Sequence, residues 1–349
     1  MIASFALIAF PFFQLPDFGG RFEYHVFHFP GVTANDSKLR RFRFNREGQW
    51  SKNFGYELEL ELSDGAKFEN GNVHWISRHG MKVQAGLLKE PLGHDTFTSS
   101  RFMTFTERNI VSDLTPSDNT GIMVEYGNSA FTWHFGAFGK VAHGGMADKE
   151  DALTGRLVWR PWYQDSGKLL HLGLSTSLRN PQRNEVSWGL DGGPSVMEDL
   201  VNTGILAADA LHCVGTEVAW MDGQWSLLAE TMTVSIRGGD GGSAQGWSLQ
   251  GSCFLTGEHR NYKISNGTFG RTHPYSSFLE NGNGALELAA RTERVLFPST
   301  SLSAGMGVQT LALNWWLTPY WRIQTGWDHL QPVGGEGVQA WTIRFACDW

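Results

Sequence analysis

Hydrophobic and polar residues alternate one for one along most of this chain. Phe54, Tyr56, Leu58, Leu60 and Leu62 interleave with Gly55, Glu57, Glu59 and Glu61. A period of two puts the apolar set on one face of an extended strand and the carboxylates on the other, which no helix can do. The pattern recurs in Phe22, Tyr24 and Val26 against Arg21, Glu23 and His25, and in Phe42 and Phe44 against Arg41 and Arg43. It returns in Met81, Val83, Ala85 and Leu87 against Lys82, Gln84 and Gly86, then in Ile122, Val124 and Tyr126, then in Phe131, Trp133, Phe135 and Ala137. Further strands are expected at 72–77, 153–161, 169–178, 212–220, 225–236, 247–255, 285–295, 306–317, 320–328 and 338–349, for a total of about sixteen.

A soluble sheet with one wet face and a membrane strand with a wet lumen look alike one strand at a time. The connections separate them. Asn128 and Ser129 join two strands almost directly, whereas 139–151 make a longer polar loop. Short turns on one side and long loops on the other mark a transmembrane barrel, and an even strand number brings both ends to the short-turn side. The expected fold is therefore all-β, a transmembrane antiparallel β-barrel.

One stretch breaks the alternation: KEPLGHDTFTSSRFMTFTERNIVSDLTPSDN, from Lys89 to Asn119. A connection of that length is functional or disordered. Phe97, Phe102, Met103, Phe105, Ile110, Val111 and Leu114 give it enough apolar surface to pack against something. Its KEP, TSSR and ERN, in this order, resemble the third loop of the phosphate-selective porin O/P family of outer-membrane barrels. LHLGLSTSLRN, LTGEHRNYKISNGTFGRTHP and LALNWWL resemble later segments of the same family. The resemblance implies a third loop folded inward to narrow a water-filled pore, passive diffusion of small hydrophilic solutes, and a homotrimer in the Gram-negative outer membrane. It also implies that 256–283, too long for an ordinary periplasmic turn, folds back into the barrel. In the final strand Trp341, Ile343, Phe345, Cys347 and Trp349 form one apolar stripe ending in an aromatic, which resembles the signal read by the barrel assembly machinery.

Composition agrees with many strands and tight turns, with 42 glycines and 15 tryptophans in 349 residues. Trp50, Trp75, Trp159, Trp162, Trp220, Trp225, Trp247, Trp315, Trp316, Trp321 and Trp341 fall mostly near strand ends, where a membrane interface buries the ring and keeps its N–H wet. A soluble β-protein using exposed tryptophans as sugar platforms is the rival reading, and it explains neither the motif order nor the final stripe. With 28 Lys plus Arg against 35 Asp plus Glu there is no basic field, and nucleic acid is not an expected partner. Cys213, Cys253 and Cys347 lie far apart and read as small apolar wall residues. Residues 1–16 have an apolar core without a basic n-region or an A-x-A site; they are set aside as an export-signal remnant or a mis-called start, leaving 17–349 as a single barrel domain.

No H-E-x-x-H, G-x-S-x-G, P-loop or zinc-spaced Cys/His set is present, so neither an enzyme nor a cofactor is expected. A pore needs charged groups facing water in a constriction, where low-dielectric walls focus the field. The candidates are Arg41 and Arg43 on the wall, Lys89, Arg101 and Arg108 on the long loop, and Arg260, Lys263 and Arg271 beyond strand twelve. Each has a plainer reading as a salt bridge from loop to wall, with Glu90, Asp95, Glu107, Asp113 and Glu258 as partners. Should Arg41, Arg43 and Arg101 converge, weak anion preference follows; Glu57, Glu59 and Glu61 at the narrow point would favour cations. The 180–203 loop sets Arg179 and Arg183 at its start against Glu185, Asp191, Glu198 and Asp199, an acidic balance that would repel phosphate. The expected solutes are small hydrophilic solutes or anions, phosphate among them, with weak selectivity. A plugged barrel acting as a scaffold or adhesin is the alternative.

Overall fold

The computed structural model describes residues 18–30, 35–116, 118–141, 150–165, 167–297 and 304–349; the segment 1–16 lies outside them. Sixteen antiparallel strands close into one barrel. They are β1 Phe18–His28, β2 Asn35–Gln49, β3 Phe54–Glu61, β4 Lys67–Ile76, β5 Lys82–Lys89, β6 Asp118–Gly127, β7 Phe131–Val141 and β8 Glu150–Gln164. The second half is β9 Lys168–Pro181, β10 Ala210–Asp222, β11 Trp225–Arg237, β12 Gly242–Phe254, β13 Ala285–Phe297, β14 Ala304–Trp316, β15 Trp321–Pro332 and β16 Val338–Asp348. Every strand expected from the alternation is present. Closure comes from β1 against β16, with Phe22 opposite Cys347 and Val26 opposite Ile343.

The wall is inside-out relative to a soluble protein. In β1 the inward side chains Arg21, Glu23 and His25 are buried, joined by Phe27 near the long-loop mouth, while Phe22 is 39% exposed. Leu58, Ile122, Phe135, Leu157, Leu174, Leu288, Leu311 and Phe345 likewise face outward. That distribution is stable where the outer solvent is hydrocarbon and the backbone is satisfied strand to strand. Trp225 and Trp321 open their strands at the short-turn mouth, and Trp75, Trp133, Trp159, Trp162, Trp220 and Trp315 lie close to the same rim. Cys213 and Cys253 are buried in the wall.

Alternation inverts near the long-loop mouth of β11. There Met232, Val234 and Ile236 are buried, while Thr231, Thr233 and Ser235 lie between them on the other face. The reason is a second core inside the barrel. Ile110, Val111 and Leu114 of the long loop, with Val186, Trp188, Leu190 and Val201 of the 182–209 connection, pack on Val234, Ile236, Val295, Phe297, Met306 and Leu330 of the wall. The 182–209 connection holds itself together with two short ribbons, Glu185–Val186 on Leu206–Ala207 and Gly189–Leu190 on Val201–Asn202.

The 90–116 segment crosses to the opposite wall. Its helical turns are brief, His94–Phe97, Ser100–Phe102 and Ile110–Leu114, so most of its backbone polar groups need partners elsewhere. Wall side chains supply them. Glu230 on β11 accepts from the N–H groups of His94 and Asp95 at 2.6 and 3.0 Å and from the Asn109 amide at 2.9 Å. Glu293 on β13 accepts from the Ile110 N–H at 2.7 Å. Asn314 on β14 and Gln324 on β15 both donate to the Thr104 carbonyl, at 2.7 and 3.0 Å, and Arg322 donates to that of Ser100 at 3.1 Å.

From the short-turn mouth the 255–284 segment enters in the same manner. It makes a small hairpin, Tyr262–Lys263 against Thr268–Phe269. Arg156 on β8 donates to the carbonyls of Asn266 and Gly267 at 2.6 and 2.7 Å, and Thr132 on β7 bonds the Ile264 carbonyl. The two insertions meet midway: the ring of His94 lies 4.8 Å from that of Phe269, and the Lys263 ammonium 4.5 Å from that of Phe102. Among the described residues, open space lies beside β1–β6.

Glu230 tests this arrangement. Glu230→Ala strands the buried N–H groups of His94 and Asp95, each worth about 1–3 kcal/mol when left unpaired. The expected outcome is a lower unfolding temperature in micelles and faster proteolysis within 94–109, with the wall still closed; unchanged protection of that segment would contradict the bonding described.

Candidate channel constriction

Two cavities lie end to end beside β1–β6. The outer, of about 640 Å³, is lined by Arg40, Arg41, Lys89, Glu107, Arg108 and Asp191, among others. The inner, of about 210 Å³, is lined by Arg21, Glu59, Phe102, Lys263 and Thr268, among others. Arg43, Glu69, Lys89, Ser100 and Asp118 line both and so mark the neck between them.

Strand geometry places these groups. Arg41 and Arg43 share the inward face of β2 by their period of two, and Arg43 lies opposite Glu61 of β3 in the register. Lys89 ends β5 directly opposite Asp118, which begins β6, so the long loop leaves and rejoins the wall at the neck.

Most of the charge here is cancelled in place. Arg43 binds Glu59 at 2.8 Å, Glu61 at 2.5 Å and Glu69 at 3.1 Å. Arg41 binds Glu23 at 2.6 Å. Arg40 binds Glu107 at 3.2 Å. Burial alone would raise the Glu107 carboxyl, but Arg40, His25, Arg41 and Arg344 together outweigh it and hold it at about 2.

The eight cations singled out in the sequence divide into two sets. Arg41, Arg43, Arg101, Arg260 and Arg271 are paired. Arg101 bonds Asn45 at 2.7 Å and lies 3.6 Å from Glu59, and it lines neither cavity. Arg260 is buried against Glu287, and Arg271 binds Asp348 and the Pro319 carbonyl, both away from the two cavities. Lys89, Arg108 and Lys263 form the other set, with no carboxylate in ion-pair contact among the described residues. Lys89 approaches the Thr98 carbonyl at 3.5 Å, Arg108 donates to the carbonyls of Thr98 and Asp95, and Lys263 sits over Phe102. So Arg41, Arg43 and Arg101 do not converge as a bare basic filter: each carries its own acid or amide. Glu107 and Arg108 also part company, one to Arg40 and the other to backbone.

Sequence reasoning passed over Arg21, Glu23, Arg40, Glu69 and Asp118. Arg21 and Glu23 were visible on the polar face of β1, but nothing local showed that they sit beside Glu59 and Arg41. Glu59 and Glu61 were read as the acidic alternative to the arginines; they are the arginines' partners. The 182–209 connection does bring acid to the outer cavity, through Asp191 and Asp199, beside Asp113 of the long loop. Partial burial raises the Asp191 carboxyl above its ordinary range, helped by the neighbouring Glu107 and Asp199 and opposed by the Gly193 N–H.

Comparison with known proteins agrees with this geometry. The model of the family described as phosphate-selective porin O and P matches residues 18–327. An uncharacterized protein of Caulobacter vibrioides is 28% identical over 73% of this chain, and the match spans only 54% of that protein. Porin O of Pseudomonas aeruginosa is 22% identical over 86% of this chain and 79% of its own. Among solved structures, in-vitro folded OmpT, an outer membrane protein of Vibrio cholerae, superposes with a TM-score of 0.63 at 9% identity, covering 95% of this chain and 97% of that one. Its trimer form gives 0.61 at 10% identity, covering 95% and 98%.

Paired and unpaired cations should respond differently to neutralisation. Arg43→Gln leaves Glu59, Glu61 and Glu69 facing one another and is expected to cost about 2 kcal/mol or more, between the limits for exposed and fully buried pairs. Lys89→Gln breaks no ion pair and should be close to neutral. Thermal unfolding of both variants in micelles checks the order.

Proposed function

Since the chain belongs to the phosphate-selective porin O and P family, we propose that its barrel is an outer-membrane channel for passive diffusion of small hydrophilic solutes, with a weak preference for anions. It acts as a conduit and catalyses nothing. The observation that carries this reading is the succession of three unpaired cations along the open side: Arg108 in the outer cavity, Lys89 at the neck and Lys263 in the inner one. Charges farther away than about 8 Å are largely screened at physiological salt, so the groups lining the neck set the sign. Asp118 opposes Lys89 there, which keeps the preference weak. Asp113, Asp191 and Asp199 at the outer cavity disfavour a multiply charged anion more than chloride, so phosphate is passed without high affinity.

The barrel is read as one of three in a homotrimer, by analogy with the OmpT trimer form. Outer-membrane lipid and the barrel assembly machinery complete its partners. A second reading, a plugged barrel serving as a scaffold or adhesin, is favoured by the filling of the interior from both mouths; it requires membrane residence without conductance.

Planar-bilayer recordings separate these. A tenfold salt gradient gives about 59 mV for a perfectly selective monovalent pore. The expected reversal potential is well below that limit and of anion sign, and the double variant Lys89→Glu with Lys263→Glu should reverse it. Absence of conductance steps from folded protein would leave the plugged reading. Because the Asp191 carboxyl is raised, it loses its charge earlier than an ordinary aspartate as pH falls; anion preference should grow on acidification from neutral pH and shrink as pH rises. Asp191→Asn should flatten part of that dependence, the rest coming from Asp113, whose carboxyl burial beside Asp191 also raises.

A further inference from the structure

A third cavity, of about 540 Å³, lies outside the barrel on β12–β15, toward the long-loop mouth. Its lining includes Trp247, Thr292, Arg294, Gln309, His329 and Gln331. Glu293 and Val308 also border it, but both are buried side chains of the inward face, and Glu293 is paired with Arg291 at 2.9 Å. Outward-facing apolar residues give way to polar ones on this flank. On β13 they are Leu286, Leu288 and Ala290, followed by Thr292 and Arg294 before Leu296; on β14 they are Trp315, Leu313 and Leu311, followed by Gln309. On β9 the outward run goes from Leu170 to Leu178, interrupted only by Thr176. Thr292 and Arg294 are two successive polar positions within the outward row of β13, where β9 has only Thr176 between its leucines.

Polar groups here would therefore meet acyl chains if the bilayer kept one level around the barrel, and such contact is costly. The rows are orderly. Ala290 and Leu311 are opposite one another, and one outward step beyond them Thr292, Gln309 and His329 follow in register across three strands. His329 lies nearly parallel to Trp327, with the rings 6.2 Å apart. Arg294, opposite Trp247 in the register, is exposed and has no ion-pair partner among the described residues, unlike most arginines of the lumen. Among the described residues, no outward-facing carboxylate lines the groove.

The geometry points to a binding site for the phosphate-bearing headgroup of an anionic lipid of the outer leaflet. Arg294 supplies the charge and a forked donor, Gln309 and Gln331 supply amide donors, and Trp247 gives an apolar wall for the upper acyl chain. The headgroup would sit against the polar rows of Thr292, Gln309 and His329.

Native mass spectrometry of the folded barrel, exchanged into mild detergent containing equal amounts of phosphatidylglycerol and phosphatidylcholine, reads the retained lipid. The expected result is preferential retention of phosphatidylglycerol, reduced at least tenfold by Arg294→Gln, with unchanged reversal potential because the groove is outside the lumen. Gln309→Glu keeps Arg294 and adds a repelling carboxylate, so it too should lower retention; this covers the case in which the first variant does not fold. Equal retention of both lipids, or wild-type retention in the folded variants, overturns the proposal. So does loss of a cross-linked oligomer in Arg294→Gln with lipid retention intact, which would assign the groove to a second copy of the chain.

Discussion

A backbone amide or carbonyl enclosed in a barrel has neither a strand neighbour nor bulk water unless something is placed to meet it, and the interior of this protein is organised by that demand. The wall solves it for itself by closure. The two long insertions cannot, because their helical turns are too short to satisfy their own peptide groups. Glu230, Glu293, Asn314, Gln324 and Arg322 meet one insertion, Arg156 and Thr132 the other. These side chains serve as an extension of the ladder, and they determine where the insertions lie and therefore where the remaining opening runs.

The same demand explains the charges. Arg43 and Arg41 face a space too small to hydrate a row of bare guanidinium groups cheaply, and each has carboxylates at hand. Cancellation of these pairs leaves the field of the open path to the few groups whose hydrogen bonds go to carbonyls or whose ammonium rests on a ring. Lys89, Arg108 and Lys263 are of this kind. On the proposed function, electrostatic character rests on residues that are individually inconspicuous, whereas the dense arginine and glutamate rows are structural ties.

How much of this could be read from the sequence follows from the range of the forces involved. Strands such as Phe54–Glu61 declare themselves because the alternation is local and the two faces meet solvents of opposite kind. The long loop was recognisable by its break in period and by its motifs. Which acid meets which base was not, because Arg101 beside Asn45, or Arg40 beside Glu107, joins residues brought together only by closure. The inverted end of β11 was equally hidden: Met232, Val234 and Ile236 obey the period of two, but the sequence does not say that the inward side there meets other apolar loops instead of water.

The insertion from the short-turn mouth bears on how the molecule is assembled in time. Arg271 within it reaches Asp348 at the end of β16 and the Pro319 carbonyl in the turn between β14 and β15. β16 in turn must find β1, more than three hundred positions away along the chain. Contacts so remote in sequence form slowly, since loop-closure entropy is spent before they return anything. The 255–284 segment therefore cannot be fully fastened until the seam is sewn, and an unfinished barrel stays open at that mouth. Obstruction of the lumen and completion of the wall are one event, so a barrel caught before closure would leak in a way the finished one does not.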